Sequence, residues 1–511
     1  MPIAFNKLIP LLLVCLVTQG CDNPSGAAED DPNKTQKPPN IVFILTDDQN
    51  YDTLQALGNP NINTPNLDKL VRSGVSFTHV FNQGSWEAAV CGPSRKMLNT
   101  GRHLYRTGYG PSTAEADLFR APLMGEIFQN YGYETFVTGK WHIDEESLRR
   151  SFSLGSDIFM PLYMGMSFQE DGGQFYPLVA DYDGDDSNSA NFATRRANKF
   201  SNDLFVDSAI DYLAGKANDA TPFFMYVSFL TPHDPRQAPA AYLEMYPPAT
   251  MPLPVNMLPE HPFDEGDHNV RDEVLLPFPR TEMAVKWYIS QYYAMISHLD
   301  AQIGRLIAQI EASEFAENTV IVFTSDNGLA NGQHGLLGKQ NQYDHSVRVP
   351  LVIAGPKIDN NVTKKGMFYL HSVLPTLLDL ANIPKPDSID SASAAPLLSG
   401  TQDVLRESIY GAYKNFQRMV RTDTHKLIYY PILDKTQLFD MVNDPFEMND
   451  LSDNPSSAKV IQELMHELEV LKREVGDPLN NDDPVASFHA YKKDWNLLHR
   501  FPRRDLYLKE P

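Results

Sequence analysis

Four short apolar runs, each followed by polar residues, restrict the fold of this chain more than any other feature. They occupy residues 41–45, 135–138, 223–230 and 320–324, and their length and branching are typical of strands buried on both faces. Helical patterns lie between them, for example at residues 121–132 and 292–313. The alternation predicts an α/β fold with a large, mostly parallel central sheet flanked by helices.

Polar groups follow each of the four runs, so parallel pairing would bring them to one edge of the sheet. Ligands of open parallel sheets bind outside the carboxyl ends of the strands. Two adjacent acids are more often a helix cap or a turn than a metal site, and an isolated histidine there is more often part of a turn. Four such coincidences at one structural position favour a functional site. The residues are Asp47, Asp48, Lys140, His142, His233, Asp326 and Asn327.

The oxygen donors in this set indicate which cation the site would bind. They are Asp47, Asp48, Asp326 and Asn327. Carboxylate and amide oxygens, with no thiolate or imidazole among them, favour Ca²⁺ or Mg²⁺ over zinc. A cation there would neutralise a tetrahedral oxyanion, and the basic residues Arg95, Lys140 and Lys339 would complete the clamp.

Two of the three cysteines, Cys15 and Cys21, lie in an N-terminal export signal. An early lysine, an apolar run and a small residue before a cleavage point predict a signal peptide at residues 1–20. The sequence VTQGC resembles a bacterial lipoprotein signal, in which Cys21 becomes the lipid anchor; the alternative is an ordinary secretory signal. Both predict export, to the periplasm, the cell envelope or the exterior. Residues 21–39 predict a flexible linker.

The third cysteine, Cys91, lies in CGPSRKML, where Pro93 predicts the start of a helix. A cysteine at a helix N-terminus beside Arg95 has its ionised form favoured, so a thiolate nucleophile is one interpretation. A small buried residue with no chemical role is another. An exported chain that keeps one unpaired cysteine also suggests a reactive group.

The pattern changes beyond residue 400. Short segments between residues 408 and 441 predict antiparallel strands, and residues 456–475 predict an amphipathic helix. We therefore expect a main domain at residues 40–400, which carries the predicted site, and a smaller C-terminal α/β subdomain with an antiparallel sheet at residues 401–511.

Charge and the remaining motifs exclude some functions. The 65 acidic residues outnumber the 43 basic ones and give a net charge of −22, which argues against nonspecific nucleic-acid binding.

Residues 181–192 resemble a calcium loop, but the glycine is misplaced and Phe192 stands where a glutamate is needed, so a solvated acidic loop is expected. The basic tail at residues 492–509 is expected to be a packed terminal arm rather than part of a cleft, and a structural role is an equal expectation for His334.

The segment CGPSR, followed by Thr100, Gly101 and Arg102, resembles the signature of the type I sulfatases of the alkaline phosphatase superfamily. FILTDDQ, GKWH, TPHDP, SDNG and HGLLGKQ resemble segments of the same family, in the same order. In that family a formylglycine-generating enzyme oxidises the signature cysteine to formylglycine, whose hydrate is the nucleophile. The resemblance implies that residues 40–400 are a catalytic sulfatase domain.

The resemblance also implies the ligands of one divalent cation, usually Ca²⁺ with Mg²⁺ as the alternative. These ligands are Asp47, Asp48, the modified Cys91, Asp326 and Asn327.

The same resemblance assigns catalytic roles. Arg95 and Lys140 would hold the hydrated aldehyde and neutralise its oxyanion. Its hydroxyl would attack sulfur in line, while His233 and Lys339 protonate or stabilise the departing alcohol oxygen. His142 would then take the proton of the second hydroxyl, so that the C–O bond to sulfate breaks and the aldehyde returns. A serine has one hydroxyl and could not expel sulfate in this way.

Three functions remain open at this point. The first is a sulfatase that acts on a sulfated carbohydrate or polysaccharide fragment, with choline sulfate and aryl sulfates as alternative substrates. The second is a phosphoester or phosphonate-ester hydrolase that uses the same modified cysteine. The third is a lipoprotein that binds sulfated glycans without turnover, in which the Cys91 thiol stays intact.

Overall fold

The computed structural model describes residues 37–107, 121–161, 173–266 and 268–479. The predicted signal peptide, most of the linker and the basic tail lie outside these ranges. Among the described residues, no helix combines the length and the apolar character needed to cross a membrane.

The strands and helices follow one another along the chain much as the sequence pattern predicts. The strands are β1 (Asn40–Asp47), β2 (Gly74–Phe81), β3 (Gly84–Ser85), β4 (Glu134–Lys140), β5 (Leu154–Phe159), β6 (Leu178–Tyr182), β7 (Arg195–Arg196), β8 (Phe223–Pro232), β9 (Thr319–Ser325), β10 (Arg348–Ala354), β11 (Val362–Lys364), β12 (Phe368–Tyr369), β13 (Ser408–Tyr413), β14 (Gln417–Thr422), β15 (His425–Tyr430) and β16 (Lys435–Asp440). The helices are α1 (Pro65–Arg72), α2 (Cys91–Thr100), α3 (Met124–Asn130), α4 (Glu145–Ser151), α5 (Ser201–Gly215), α6 (Ala240–Leu243), α7 (Glu282–Glu311), α8 (Asp344–Val347), α9 (Val373–Leu380), α10 (Ala395–Leu398) and α11 (Ala458–Val475).

The four predicted strands are neighbours in the large sheet. Its order is β11-β2-β10-β9-β1-β8-β4-β5-β6-β7, with β12 paired to β2. The strands β9, β1, β8, β4 and β5 are mutually parallel, which confirms the predicted α/β fold. The strand β10 runs antiparallel to β9 and β2, and β6 runs antiparallel to β5, so antiparallel pairs flank the parallel centre.

Helices cover both faces of the central strands. Every residue of β1, β8 and β9 is buried, as expected when a strand is shielded on each side. The helices α1, α5 and α7 pack together and against the sheet, and α2 packs on α3 and α9. The packing leaves the carboxyl ends of the strands as the edge at which side chains can meet.

The smaller sheet has the order β16-β15-β14-β13-β3. Its four later strands are antiparallel, and α11 packs on β13, β14 and β15, as the sequence predicts. Its fifth strand, β3, comes from the main domain and pairs parallel to β13. A two-residue strand carries no periodic signal, so this connection could not be inferred from the sequence.

Gly139 gives β4 the shape that delivers Lys140 to the edge of the sheet. Its φ angle is +87°, and the pairing of β4 with β5 is irregular between Val137 and Gly139. A Cβ atom at this position would overlap the backbone carbonyl oxygen of Ser228 in β8. Only glycine satisfies both conditions without strain.

We expect Gly139→Ala to lower the free energy of unfolding by about 2–5 kcal/mol. The left-handed conformation costs a side chain about 1–2 kcal/mol, and the overlap adds about 1–3 kcal/mol. Gly132 is a matched control because its φ is +82° and a Cβ atom added there would meet nothing within 4 Å beyond its chain neighbours. Gly132→Ala should cost only about 1–2 kcal/mol. Chemical denaturation of both variants measures the difference, and equal losses would contradict the steric account.

Candidate active site

The carboxyl edge of the central sheet brings the predicted polar residues together. Asp47 ends β1 and Lys140 ends β4, while His233 follows β8 directly and Asp326 follows β9 directly. Pairing of Thr46 with Ser325 aligns β1 with β9. The expectation that the four strands deliver their polar groups to one edge is confirmed.

The turn after β1 fixes the second acidic residue. Asp48 has a φ of +68°, a conformation that aspartate adopts more readily than most side chains. Its backbone N–H donates to Asp326 Oδ1 at 3.2 Å, and its carbonyl oxygen accepts from the Tyr292 hydroxyl at 2.7 Å. The same hydroxyl accepts from the Asn50 backbone N–H at 2.9 Å. Helix α7 therefore holds the loop that carries Asp48.

Two cations fix the buried carboxylates of this edge. Lys140 Nζ pairs with Asp47 Oδ2. Arg95 Nε donates to Asp326 Oδ2 at 2.9 Å, and its Nη1 donates to the Lys140 carbonyl oxygen at 2.9 Å and to Ser228 Oγ at 2.7 Å. Burial raises the pKa of Asp47, but Lys140, His233 and Arg95 outweigh burial and leave that pKa well below its usual value.

Cys91 is the first residue of α2 and lies between an acid and a base. Its thiol contacts Asp48 Oδ1 at 3.5 Å. Lys339 Nζ donates to the Cys91 sulfur at 2.8 Å and to Asp48 Oδ1 at 2.5 Å. The family resemblance assigns Lys339 to the departing alcohol oxygen. In the structure, Lys339 contacts residue 91.

The thiolate interpretation of Cys91 is wrong for the unmodified residue. Burial and the charge of Asp47 raise the pKa of this thiol well above its usual value, although Lys339 opposes them. The sequence suggested that Arg95 would stabilise the thiolate, but Arg95 Nε and Nη1 donate to Asp326 and to groups of the neighbouring strands. The neutral thiol is therefore favoured.

The two histidines of the edge differ in their partners. His233 Nδ1 lies 2.6 Å from the Asp234 carbonyl oxygen, and its Nε2 lies 3.8 Å from Asp48 Oδ2. His142 has a φ of +56°, and its Nδ1 is buried without a hydrogen-bond partner among the described residues. Burial and the positive charges of Lys140 and Arg95 hold the pKa of His142 well below its usual value, so its neutral form is favoured.

The donor set fits a divalent cation. Asp47, Asp48, Cys91 and His233 each offer an atom within 4.8 Å of the others. Asp47 Oδ1 and Asn327 Oδ1 are buried without a hydrogen-bond partner among the described residues. The sequence named no imidazole among the oxygen ligands, and His233, which it placed at the same edge, belongs to this cluster.

Repulsion between the buried carboxylates of the site also favours a bound divalent cation. Burial and the charge of Asp47 raise the pKa of Asp326, with Asp48 adding to the effect. A bound cation would relieve that repulsion and would satisfy the two unpartnered oxygens. The oxygen-rich composition predicted from the sequence therefore suits the geometry, and Asp326 and Asn327 adjoin the cluster through hydrogen bonds to Asp48.

Several residues near the site were not singled out from the sequence, although Asp234 and Gln340 lie within TPHDP and HGLLGKQ. Asp234, Arg271, Asp272 and Gln340 surround His233 and Lys339, and they come from irregular segments. Arg271 and Asp272 lie in a proline-rich stretch at residues 232–279, where no recognisable spacing points to a site.

The structure also describes His334 and the acidic loop at residues 181–192, for which the sequence predicted no catalytic role. His334 stacks on Tyr343, with ring centroids 3.9 Å apart, in agreement with a structural role. In the acidic loop at residues 181–192, the Asp183 carboxylate accepts hydrogen bonds from Asp185, Asn188 and Asn191. These contacts hold the loop in shape through its own polar groups.

The chain is similar to known proteins over most of its length. Residues 39–383 match the family described as Sulfatase, and residues 332–474 match the family described as N-sulphoglucosamine sulphohydrolase, C-terminal. An ulvan-active sulfatase of Formosa agariphila is 32% identical over 488 residues, which cover 91% of this chain and 86% of that protein. An N-acetylglucosamine-6-O-sulfatase of Bacteroides thetaiotaomicron is 26% identical over 566 residues, which cover 96% of this chain and 94% of that protein.

A solved structure supports the fold. It shows a protein in complex with its substrate D-glucosamine-2-N,6-O-disulfate, and it matches with a TM-score of 0.72 at 24% identity. The match covers 87% of this chain and 99% of the other. The chain belongs to the sulfatase family of the alkaline phosphatase superfamily. It is a sulfuric ester hydrolase.

The raised pKa of Cys91 predicts slow alkylation of the unmodified protein. At pH 8 in a buffer with chelator, iodoacetamide should label Cys91 more slowly in the folded chain than in denaturant, because the raised pKa leaves less of the reactive thiolate. The labelled fraction should rise with pH only above the ordinary thiol pKa of about 8.5. Mass spectrometry over time measures both rates. Faster labelling of the folded chain would restore the thiolate interpretation.

Proposed function

We propose that this sulfatase hydrolyses a sulfate ester carried by a carbohydrate, such as a sulfated polysaccharide fragment, and that Cys91 acts after conversion to formylglycine. The observation that carries the proposal is the position of Cys91, which contacts both Asp48 and Lys339 at the carboxyl edge of the sheet. The names of the two sulfatase relatives, one active on ulvan and one on N-acetylglucosamine, support a carbohydrate substrate.

The charges of the site favour an anionic substrate. Three carboxylates face three cations at this edge, and these charges balance. They are Asp47, Asp48 and Asp326, and Arg95, Lys140 and Lys339. A divalent cation would make the cluster positive by two charges, which suits a sulfate ester and the charge that develops on its oxygens.

Ca²⁺, with Mg²⁺ as the alternative, is the cation that we propose for this cluster. The residues that would hold it are Asp47, Asp48, Asp326, Asn327 and residue 91. The cation supplies stabilisation of negative charge on oxygen, and formylglycine supplies a hydroxyl nucleophile that is already part of the chain. Lys140 and Arg95 fix the ligands Asp47 and Asp326 through the ion pairs described above.

The contacts and charge states of His142, Lys339 and His233 support a separate proton-transfer role for each residue. His142 is favoured in the neutral form and has an unpartnered Nδ1 among the described residues, which suits a residue that accepts a proton. Contact with Asp48 outweighs burial and raises the pKa of Lys339 well above its usual value, so its ammonium can stabilise a departing alcohol oxygen. His233 Nδ1 donates to the Asp234 carbonyl oxygen, so His233 acts beside Lys339 as the proton donor in its imidazolium form, in which Nε2 carries the second proton.

Export and maturation complete the proposal. The pattern of residues 1–21 supports a lipoprotein signal with lipid attached to Cys21, and a location in the bacterial periplasm or cell envelope. The segment CGPSR supports recognition by a formylglycine-generating enzyme before the chain folds, because Cys91 is buried in the folded protein.

Sulfate and phosphate esters of one monosaccharide test the reaction. We expect a higher kcat/KM for the sulfate ester, and we expect Cys91→Ala to lower turnover by at least about 10³-fold because the nucleophile is lost. Faster cleavage of the phosphate ester would favour the phosphoester or phosphonate-ester hydrolase. Binding of sulfated glycans without turnover, together with an intact thiol at Cys91 in protein from its own host, would favour the glycan-binding lipoprotein.

Calorimetry with Ca²⁺ tests the cation site independently of activity. We expect Asp47→Asn to weaken Ca²⁺ binding by at least about 100-fold, because it removes a charged ligand. Asp183→Asn is the control, since the Asp183 carboxylate is engaged within its own loop, and it should leave the affinity unchanged. Thermal unfolding checks that both variants fold. Equal affinities of the two variants would exclude Asp47 as a ligand.

A further inference from the structure

Arg271 bridges two carboxylates beside the site. It lies in the irregular segment between β8 and α7. Its Nη2 donates to Asp234 Oδ1 at 2.8 Å and to Asp272 Oδ1 at 2.6 Å, and its Nε donates to Asp272 Oδ1 at 2.9 Å. The side chain of Arg271 is 30% exposed, whereas those of Asp234 and Asp272 are 8% and 10% exposed.

Each bridged carboxylate connects to a group that we assign to the departing alcohol. On one side, His233 Nδ1 lies 2.6 Å from the carbonyl oxygen and 3.3 Å from the carboxylate of Asp234. On the other side, Gln340 Nε2 donates to Asp272 Oδ2 at 2.8 Å. Gln340 Oε1 accepts from the backbone N–H of Lys339 at 2.9 Å. The guanidinium therefore reaches His233 through the Asp234 carboxylate, and it reaches the backbone of Lys339 through Asp272 and Gln340.

The charge of Arg271 also balances that of Asp272. Burial raises the pKa of Asp272, but Arg271, Lys339 and His233 outweigh burial and hold that pKa well below its usual value. Asp272 is thus an anion within electrostatic reach of the Lys339 ammonium. If Arg271 were neutral, Asp272 would compete with Asp48 for Lys339 and draw Nζ away from residue 91.

We propose that Arg271 is a positioning residue that holds His233 and Lys339 where the departing alcohol oxygen is protonated. This inference rests on the proposed function, because it needs a reaction in which an alcohol leaves sulfur. Arg271 acts through Asp234 and Asp272. The contribution of Arg271 is largest when the departing group needs a proton and smallest when that group leaves readily as an anion.

Two substrates with different departing groups test the proposal. We expect Arg271→Met to lower kcat/KM for a monosaccharide sulfate by about 10–100-fold, since a positioned acid contributes about 10²–10⁴-fold and is here displaced rather than removed. For 4-nitrophenyl sulfate, whose phenolate leaves without a proton, the loss should stay within about threefold. The loss on the sugar substrate should appear in kcat with KM little changed, because substrate binding is retained.

Arg195 provides a matched control. It also bridges two carboxylates, those of Asp157 and Asp181, and its side chain is 46% exposed. Arg195→Met should lower activity on both substrates by the same small factor. Arg271→Lys should restore part of the loss on the sugar substrate, because one ammonium can replace the charge but not the forked geometry.

Asp234→Asn keeps the proposal testable if Arg271→Met does not fold. It removes the carboxylate through which Arg271 reaches His233 and should show the same selective loss on the sugar substrate. Equal losses on both substrates, or no loss on either, in folded Arg271→Met or, if that variant does not fold, in Asp234→Asn would overturn the proposal. If the unaltered enzyme hydrolyses neither sulfate, the proposed function fails instead, so the two failures are distinguishable.

Discussion

The geometry of this active site depends on a buried balance of charge at the carboxyl edge of the central sheet. Arg95 pairs with Asp326, Lys140 with Asp47 and Lys339 with Asp48, and all of these side chains are nearly inaccessible to solvent. Removing one partner of a buried pair costs about 3–5 kcal/mol, because it leaves the other charge unpaired. The residues that hold the site are therefore also residues on which folding depends.

The central fold could be predicted because buried parallel strands have a simple sequence signature. Residues 41–45 are apolar throughout and residues 320–324 are apolar apart from Thr324, and parallel strands end on the same side of a sheet. Asp47 and Asp326 could therefore be placed together before any contact was known. The antiparallel strand β10 and the short strand β3 at Gly84–Ser85 could not be predicted, because strand direction and isolated pairing leave no periodic pattern.

Residues outside the strands were less predictable, for physical reasons. The ionisation of Cys91 depends on burial and on Asp47, which lies far away in the chain, so the local pattern around Cys91 predicted a pKa shift of the wrong sign. Arg271 and Asp272 lie in an irregular segment where no spacing rule applies, and their role emerges only from contacts with Asp234 and Gln340. The sequence thus located the centre of the site, while its surrounding support required the structure.

The sulfatase account depends most directly on the chemical state of residue 91. Peptide mass spectrometry of enzyme produced with a formylglycine-generating enzyme, with and without an aldehyde-trapping reagent, measures that state. We predict an aldehyde at position 91 that the reagent captures, in the same preparation that hydrolyses sulfate esters. Turnover of sulfate esters by protein whose Cys91 is entirely an intact thiol would contradict the account, because the proposed nucleophile would be absent.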